Sequence, residues 1–393
     1  MKQIEHNLDG NICRCTGFRP ILDAMKSFAG NSGECVKSDL CEDIEDLAGW
    51  VCPKKNALFC SEFMYENVLI NDKNKTWMSP NNLETLFDSL DKIPDTAAYR
   101  LVAGNTGVGV YEDEKEIDFY VDISKINELK RMSTGPFQVG GGVCIADAMK
   151  KFEVMKESVQ TDFWYLENFC DQLNYVASTA VRENGSIAGN LMLKHSHPEF
   201  QSDVFNLLEV VGAKMTVAGL DSSKKMITTD FLPSNWLKTD MKKKIILHIT
   251  FPSIPTSHKF SYYKVTPRAV FSHAHVNAAF LAEVDQENGS KIVSKPSFVF
   301  GGVSDSFIHA DKTESFVVGK DLKDPSVIKA MFETLAKETN PDDKVYDASK
   351  EYRAGLVEAL LYKFLLTILS TSVPDSKKSG AQDIRFLRPL GNI

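Results

Sequence analysis

Long runs of positive charge are missing from this sequence: Lys242, Lys243 and Lys244 sit together beside Lys238, but the formal net charge is -8, and on that balance no nucleic-acid partner is expected. The N-terminal MKQIEHNLDGN has neither an apolar core nor a small-residue cleavage site, so it does not read as a secretory signal. Long apolar runs are missing too. The most apolar stretch, Ala354 to Leu369, is interrupted by Glu358 and Lys363 and is too short and too charged to span a bilayer, so it predicts a buried helix and no membrane partner. Cysteine is sparse: 8 residues in 393, irregularly spaced and without a leader, fit reduced thiols or metal ligands rather than a disulfide framework. Together these absences predict a cytoplasmic chain.

What is present is ordinary globular composition, 43% hydrophobic, 10% aromatic and 25% charged, enough for roughly two to three domains. From Pro20, PILDAMKSFA places Ile21, Ala24, Met25 and Phe28 at helical spacing. Residues 30–62 lose periodicity and predict a linker. Asn82 can cap a helix carrying Leu83, Leu86, Phe87 and Leu90, and Tyr99 to Ala103 reads as a strand ending in Gly104. Strands are expected again at Phe119–Ile123, Ala213–Val217, Ile245–Phe251, Ser297–Val303 and Glu314–Val318, with helices at Cys144–Met155, Thr161–Leu173, from Pro325 and from about Ala348. The pattern is mixed, α/β or α+β, with an α+β domain in the last third.

The segments that can carry chemistry are few. NICRCTGFRP holds Cys13 and Cys15 one residue apart; the two thiolates can face one iron, although a lone CxC also fits two free thiols at a turn. Cys35, Cys41, Cys52 and Cys60 fall in the linker at the wrong spacing for ligands. RLVAGNTGVGV, from Arg100, runs a strand into a turn with glycines at 104, 107 and 109, where successive N–H groups can cradle a diphosphate; it is not GxGxxG, and such turns are also built for purely structural reasons. A second small-residue turn spans Asn184 to Asn190, and the two turns could grip one diphosphate between them. Lys264 and Arg268 stand in an otherwise apolar stretch, as a charged ligand edge would need or as ordinary surface residues. His195 and His197 form an HxH pair with no further ligand nearby and read as solvated loop residues.

GNICRCTGFRPI closely resembles the second half of the helical 2Fe-2S domain of the aldehyde oxidase and xanthine dehydrogenase family, the molybdenum hydroxylases. The glycine turns and the Lys264 segment resemble, in the same order, the FAD-binding domain of that family, most like its insect-type aldehyde oxidases, and SFVFGGVS and EYRAGLVEALLYKFLLTIL resemble its C-terminal flavoprotein domain. The resemblance covers essentially the whole chain. It implies an α+β protein: residues 1–30 a partial helical 2Fe-2S domain, 31–66 a linker, 67–256 a vanillyl-alcohol-oxidase-like FAD-binding domain, 257–372 a small α+β C-terminal flavoprotein domain, and 373–393 a linker toward an absent molybdenum domain.

For the site, the resemblance implies FAD held by Leu101, Val102, Ala103, Gly104, Asn105, Thr106, Gly107 and Val108 in the first diphosphate loop and by Ser186, Gly189 and Asn190 in the second. Val176, Asp203, Ile246 and Lys264 match positions at the flavin or its ribityl and ribose part. Cys13 and Cys15 match two of the four 2Fe-2S ligands; the family's upstream CxxC pair does not occur here, so no complete cluster is expected, and the molybdenum cofactor belongs to the full-length family. Val176 stands where xanthine dehydrogenases have a phenylalanine, and DFLPSN, from Asp230, lacks their NAD-associated FFxGYR string. Oxygen is therefore the expected acceptor and NAD is disfavoured; homodimerisation is expected only of the full-length protein. The alternatives are an NAD-dependent xanthine dehydrogenase segment and a truncated, catalytically silent FAD-binding protein.

Overall fold

A computed structural model describes residues 17–27, 68–72, 75–111, 116–158, 161–268, 271–287, 289–343 and 348–369, with Ile4, Asn7 and Leu8. Cys13, Cys15 and the linker cysteines lie outside the described residues. The helix expected from Pro20 is α1 (Arg19–Ser27), none of whose residues is buried.

The first lobe comprises β1 (Val68–Asp72), β2 (Lys75–Ser79), α2 (Leu83–Lys92), β3 (Tyr99–Val102) and β4 (Phe119–Asp122). Helix α2 starts where the sequence predicts: Asn82 accepts from the Thr85 N–H, and the Thr85 hydroxyl accepts from the Asn82 N–H, a reciprocal cap that satisfies two otherwise orphaned donors. Its Leu86, Phe87 and Leu90 are buried against a sheet of order β1-β2-β4-β3, in which β4 runs parallel to both β2 and β3. This core takes in Ala218 and Ile245 from the next lobe, so the two lobes are joined by packing rather than by a tether alone.

The second lobe is built on β5 (Met132–Thr134), β6 (Phe137–Gly140), β7 (Lys214–Leu220), β8 (Met226–Phe231) and β9 (Ile245–Thr250), in the order β5-β6-β9-β7-β8 and antiparallel throughout. Between β6 and β7 come α3 (Ile145–Ser158), α4 (Leu166–Leu173), α5 (Thr179–Arg182), α6 (Ile187–Ser196) and α7 (Asp203–Val210); α8 (Pro233–Trp236) follows β8. The helix expected over 161–173 is broken into a short 3-10 turn, Thr161–Phe163, and α4. The aromatic side chains at the break are claimed elsewhere, Trp164 Nε1 donating to Ile254 O at 3.0 Å and Tyr165 Oη to Pro252 O at 2.7 Å. Phe137, Phe152, Phe169 and Phe251 meet edge to face or tilted in the core beneath, a packing worth about 0.5–1.5 kcal/mol per aromatic pair beyond buried area.

The third core belongs to the antiparallel meander β10 (His258–Val265), β11 (Val276–Glu283), β12 (Ser297–Gly301) and β13 (Ile308–His309), covered by α9 (Asp311–Val317), α10 (Pro325–Glu338) and α11 (Lys350–Ile368). Asp324 and Ser349 cap α10 and α11, and the apolar stretch after Ala354 is the buried helix expected of it. The strand expected at Glu314–Val318 is instead the end of α9: Thr313, Glu314 and Val317 are the buried positions, a helical rather than an alternating set, and the Glu314 N–H donates to Ala310 O. Among the described residues no helix is long and apolar enough to cross a membrane.

Candidate flavin site

The two glycine turns meet. A Cβ on Gly104 would sit 2.5 Å from the carbonyl carbon of Asn184 and collide with its oxygen, and one on Gly185 would lie 2.9 Å from Thr106 Oγ1. Glycine at 104 is what lets the turns touch backbone to backbone, and glycine at 185 leaves room for the Thr106 side chain. The first turn then follows α6 along its length, Gly107 coming to Leu193 and Tyr111 stacking on His197 with ring centroids 3.9 Å apart.

The two turns differ in what they can offer an anion. At the start of α6 the N–H groups are already engaged: Ile187 N donates to Val143 O, Ala188 N to Gly141 O, and Gly189 N to the Ser186 hydroxyl that caps the helix. Asn190 Oδ1 accepts from Ser202 Oγ, tying this turn to the cap of α7. In the first turn, by contrast, the N–H groups of residues 104–109 donate to no other group among the described residues, and the main chain there is largely exposed, with Asn105 at φ 55°. Val108 and Val110 beside them are 44% and 41% exposed. A run of successive unspent donors flanked by exposed apolar side chains can hold a phosphate and the apolar part of its carrier.

The other residues singled out in the sequence fall on the adjoining side. Lys264, on β10, has a side chain only 8% exposed: its Nζ donates to Asp203 Oδ2 at 2.6 Å and to Tyr175 O at 3.0 Å. Asp203, the first residue of α7, also accepts from Tyr262 Oη (2.8 Å) and Asn277 Nδ2 (2.7 Å), so its carboxylate is met by three donors. Burial against this carboxylate pushes the Tyr262 phenol well up and keeps it a donor. Val176 lies in the turn beside Tyr175, and that turn is clamped by the buried Arg182 guanidinium, which donates to Asn174 O and Val176 O. Ile246 is buried in the core, and its carbonyl lies so close to Gly141 that a Cβ there would be 3.2 Å from the carbonyl carbon and equally close to Ala188 Cβ. The glycines at 140–142 thus form a structural turn, letting the end of β6 pass between β9 and α6.

Arg182, Tyr262 and Asn277 were not singled out from sequence. The only signal for Tyr262 is its place two residues before Lys264 on the same strand face. His195 and His197 are not solvated loop residues: His195 is in α6, its Nε2 2.8 Å from Thr239 O and its ring against Trp236, and His197 is half-buried on Tyr111. Arg268 is exposed and folds back on Phe271 O, away from the Lys264 pair.

Residues 71–254 match the family model for the FAD binding domain in molybdopterin dehydrogenase, and residues 261–368 match that for the CO dehydrogenase flavoprotein C-terminal domain. Abscisic-aldehyde oxidase of Arabidopsis thaliana is 28% identical over 94% of this chain, and an indole-3-acetaldehyde oxidase of Zea mays is 30% identical over 94%. The chain spans 29% and 28% of the length of these relatives. Among solved structures, CO dehydrogenase from Oligotropha carboxidovorans superposes with a TM-score of 0.59 at 16% identity, over 74% of this chain and 96% of that one. Quinoline 2-oxidoreductase from Pseudomonas putida 86 superposes at 0.58 with 21% identity, over 77% and 99%. With both lobes and the meander domain matched in one order, this chain belongs to the molybdenum hydroxylase family, through its FAD-binding and flavoprotein C-terminal regions.

Proposed function

We propose that this chain is the flavin-holding segment of an aldehyde oxidase-like molybdenum hydroxylase, passing electrons that arrive through 2Fe-2S clusters from the FAD to oxygen. The observation that carries the reading is the first glycine turn, whose N–H groups at 104–109 find no acceptor among the described residues while its backbone is seated on the second turn at Asn184. Residues 101–108 would hold the diphosphate, with Ser186, Gly189 and Asn190 shaping the opposite wall. Val176, Ile246 and the Asp203–Lys264 pair would face the flavin and its ribityl chain. Bound FAD would supply the redox chemistry, and the protein's part is to bind, orient and shield it. Lys264 arrives with its charge already balanced by Asp203, so it can present a fixed donor and a positive edge without an uncompensated charge in the core.

No side chain here is required as an acid or base. Cys13 and Cys15 would furnish two thiolates of a 2Fe-2S cluster, the remaining ligands, the molybdenum cofactor and the homodimer contacts belonging to the full-length protein. Oxygen is favoured over NAD by Val176 and by DFLPSN. In the domain assignment that goes with this reading, 67–256 is the FAD-binding domain and 257–372 the C-terminal flavoprotein domain. Titrating FAD with the purified chain is expected to quench flavin fluorescence at about one equivalent and to leave a yellow complex through gel filtration. A chain that stays colourless at saturating FAD would sink the reading.

A further inference from the structure

Helix α7 lies between the second lobe and the meander domain, with all of its 8 residues buried. Its first residue, Asp203, holds Lys264, Tyr262 and Asn277. Near its other end Glu209 meets His309 on β13: His309 Nδ1 lies 3.2 Å from Glu209 Oε1, and Nε2 lies 2.8 Å from Glu314 Oε1. Glu209 and Glu314 are 5% and 0% exposed. An ionised carboxylate can only accept, so an imidazole that faces one with each ring nitrogen is a donor at both and carries a positive charge. Burial opposes that charge, but hydrogen bonds from the ring to Glu209 and Glu314 outweigh it and hold the His309 pKa up at about 10.

The remaining charged groups in this cluster are Asp311, on α9, and Lys295, ahead of β12; Lys295 Nζ lies 2.6 Å from Asp311 Oδ1 and 3.4 Å from Glu314 Oε2. Glu209 also accepts from Ser234 N–H and Glu314 from Phe298 N–H, so both carboxylates are fixed in place. Glu209 stands in the last turn of α7, where the helix dipole disfavours a negative charge, and His309 is the cation that offsets it.

We propose that His309 is a positioning residue for the flavin site: as a cation clamped between Glu209 and Glu314 it fixes the C-terminal end of α7 and so holds Asp203, at the opposite end, against Lys264. The inference rests on the proposed flavin function. Without the cation two buried carboxylates face each other across a neutral ring, and the relief open to them is for α7 to withdraw from β13, carrying Asp203 with it. The free histidine titrates near 6.5 and the folded one near 10, so the clamp is complete below the first value and is lost as the pH rises through the second.

The test measures FAD affinity by flavin fluorescence and amide exchange across 203–210, in the full chain and in H309Q and H309K, from about pH 7 to about pH 10. H309Q is expected to weaken FAD at least about fivefold at neutral pH and to lose exchange protection in α7, while H309K stays within about twofold of the parent. The parent should approach H309Q at the alkaline end, and H309Q should itself show a flat profile. Parent-like affinity in H309Q, or H309K as weak as H309Q, overturns the proposal. If the parent takes up no FAD the functional reading falls, and α7 exchange alone then decides the clamp: equal protection in the parent and H309Q overturns it. Should H309Q not fold, E209Q/H309Q, which removes a stranded carboxylate together with the cation, carries the same two readouts.

Discussion

Replacing Lys264 with methionine is expected to destabilise the protein by about 3 kcal/mol, the low end of what is lost when one partner of a buried ion pair is removed. Lys264 and Asp203 have side chains only 8% and 4% exposed, so the carboxylate left behind cannot be rescued by water. Tyr262 and Asn277 still donate to it, which keeps the loss from being larger. Methionine preserves the length and apolar stem of the lysine, so packing changes little and the effect reports the charge. Urea unfolding of K264M, set beside D203N/K264M, is the measurement. The double variant removes the stranded charge and should recover more than half of the loss, whereas equal instability of the two would mean that packing, and not the ion pair, is at stake.

Gly104→Ala is expected to abolish tight FAD binding, by at least about tenfold or 1.4 kcal/mol, and to destabilise the fold by about 1–3 kcal/mol. The added methyl would run into the Asn184 backbone, which cannot swing aside as a side chain would, so one of the two turns must move. Gly107→Ala is the internal comparison, since among the described residues its methyl would meet only Leu193 Cδ1 at 4.0 Å, an ordinary contact. Flavin titration and thermal melting of both variants separate the cases. If G104A bound FAD as well as G107A did, the contact between the turns would have no part in the site.

Much of this fold was legible because its element boundaries are written in single residues. Asn82 caps the helix that follows it, Pro325 opens another, and Leu86, Phe87 and Leu90 mark a buried face. The two glycine turns were legible as turns, whereas the direct approach of Gly104 to Asn184 joins residues too distant in the chain to be read from it. Glu314–Val318 misled because a short run alternating Glu, Phe and Val fits a strand, while the hydrogen bond from the Phe298 N–H to the Glu314 side chain, which seats α9, comes from a residue distant in the chain. That Lys264, Tyr262 and Asn277 converge on Asp203 was illegible for the same reason: Asn277 lies on β11, Tyr262 and Lys264 on β10, and only the β10–β11 pairing sets Lys264 opposite Asn277. The solvated reading of His195 and His197 fails because the spacing of two histidines carries no information about Trp236 or Tyr111, against which their rings pack.

The strand order of the second lobe has a consequence in time. Its central strand, β9, is the last of the five in sequence and pairs with β6 on one side and β7 on the other. A nascent chain that has emerged through β8 therefore carries two unsatisfied strand edges and an open aromatic core, and nothing local can close them until Ile245–Thr250 leaves the ribosome. The first lobe also receives a central strand last, β4 between β2 and β3, but no strand there waits as long for its partner as β6 waits for β9. Synthesis from β5 onward is thus the interval in which this chain is most exposed to aggregation and most in need of a chaperone.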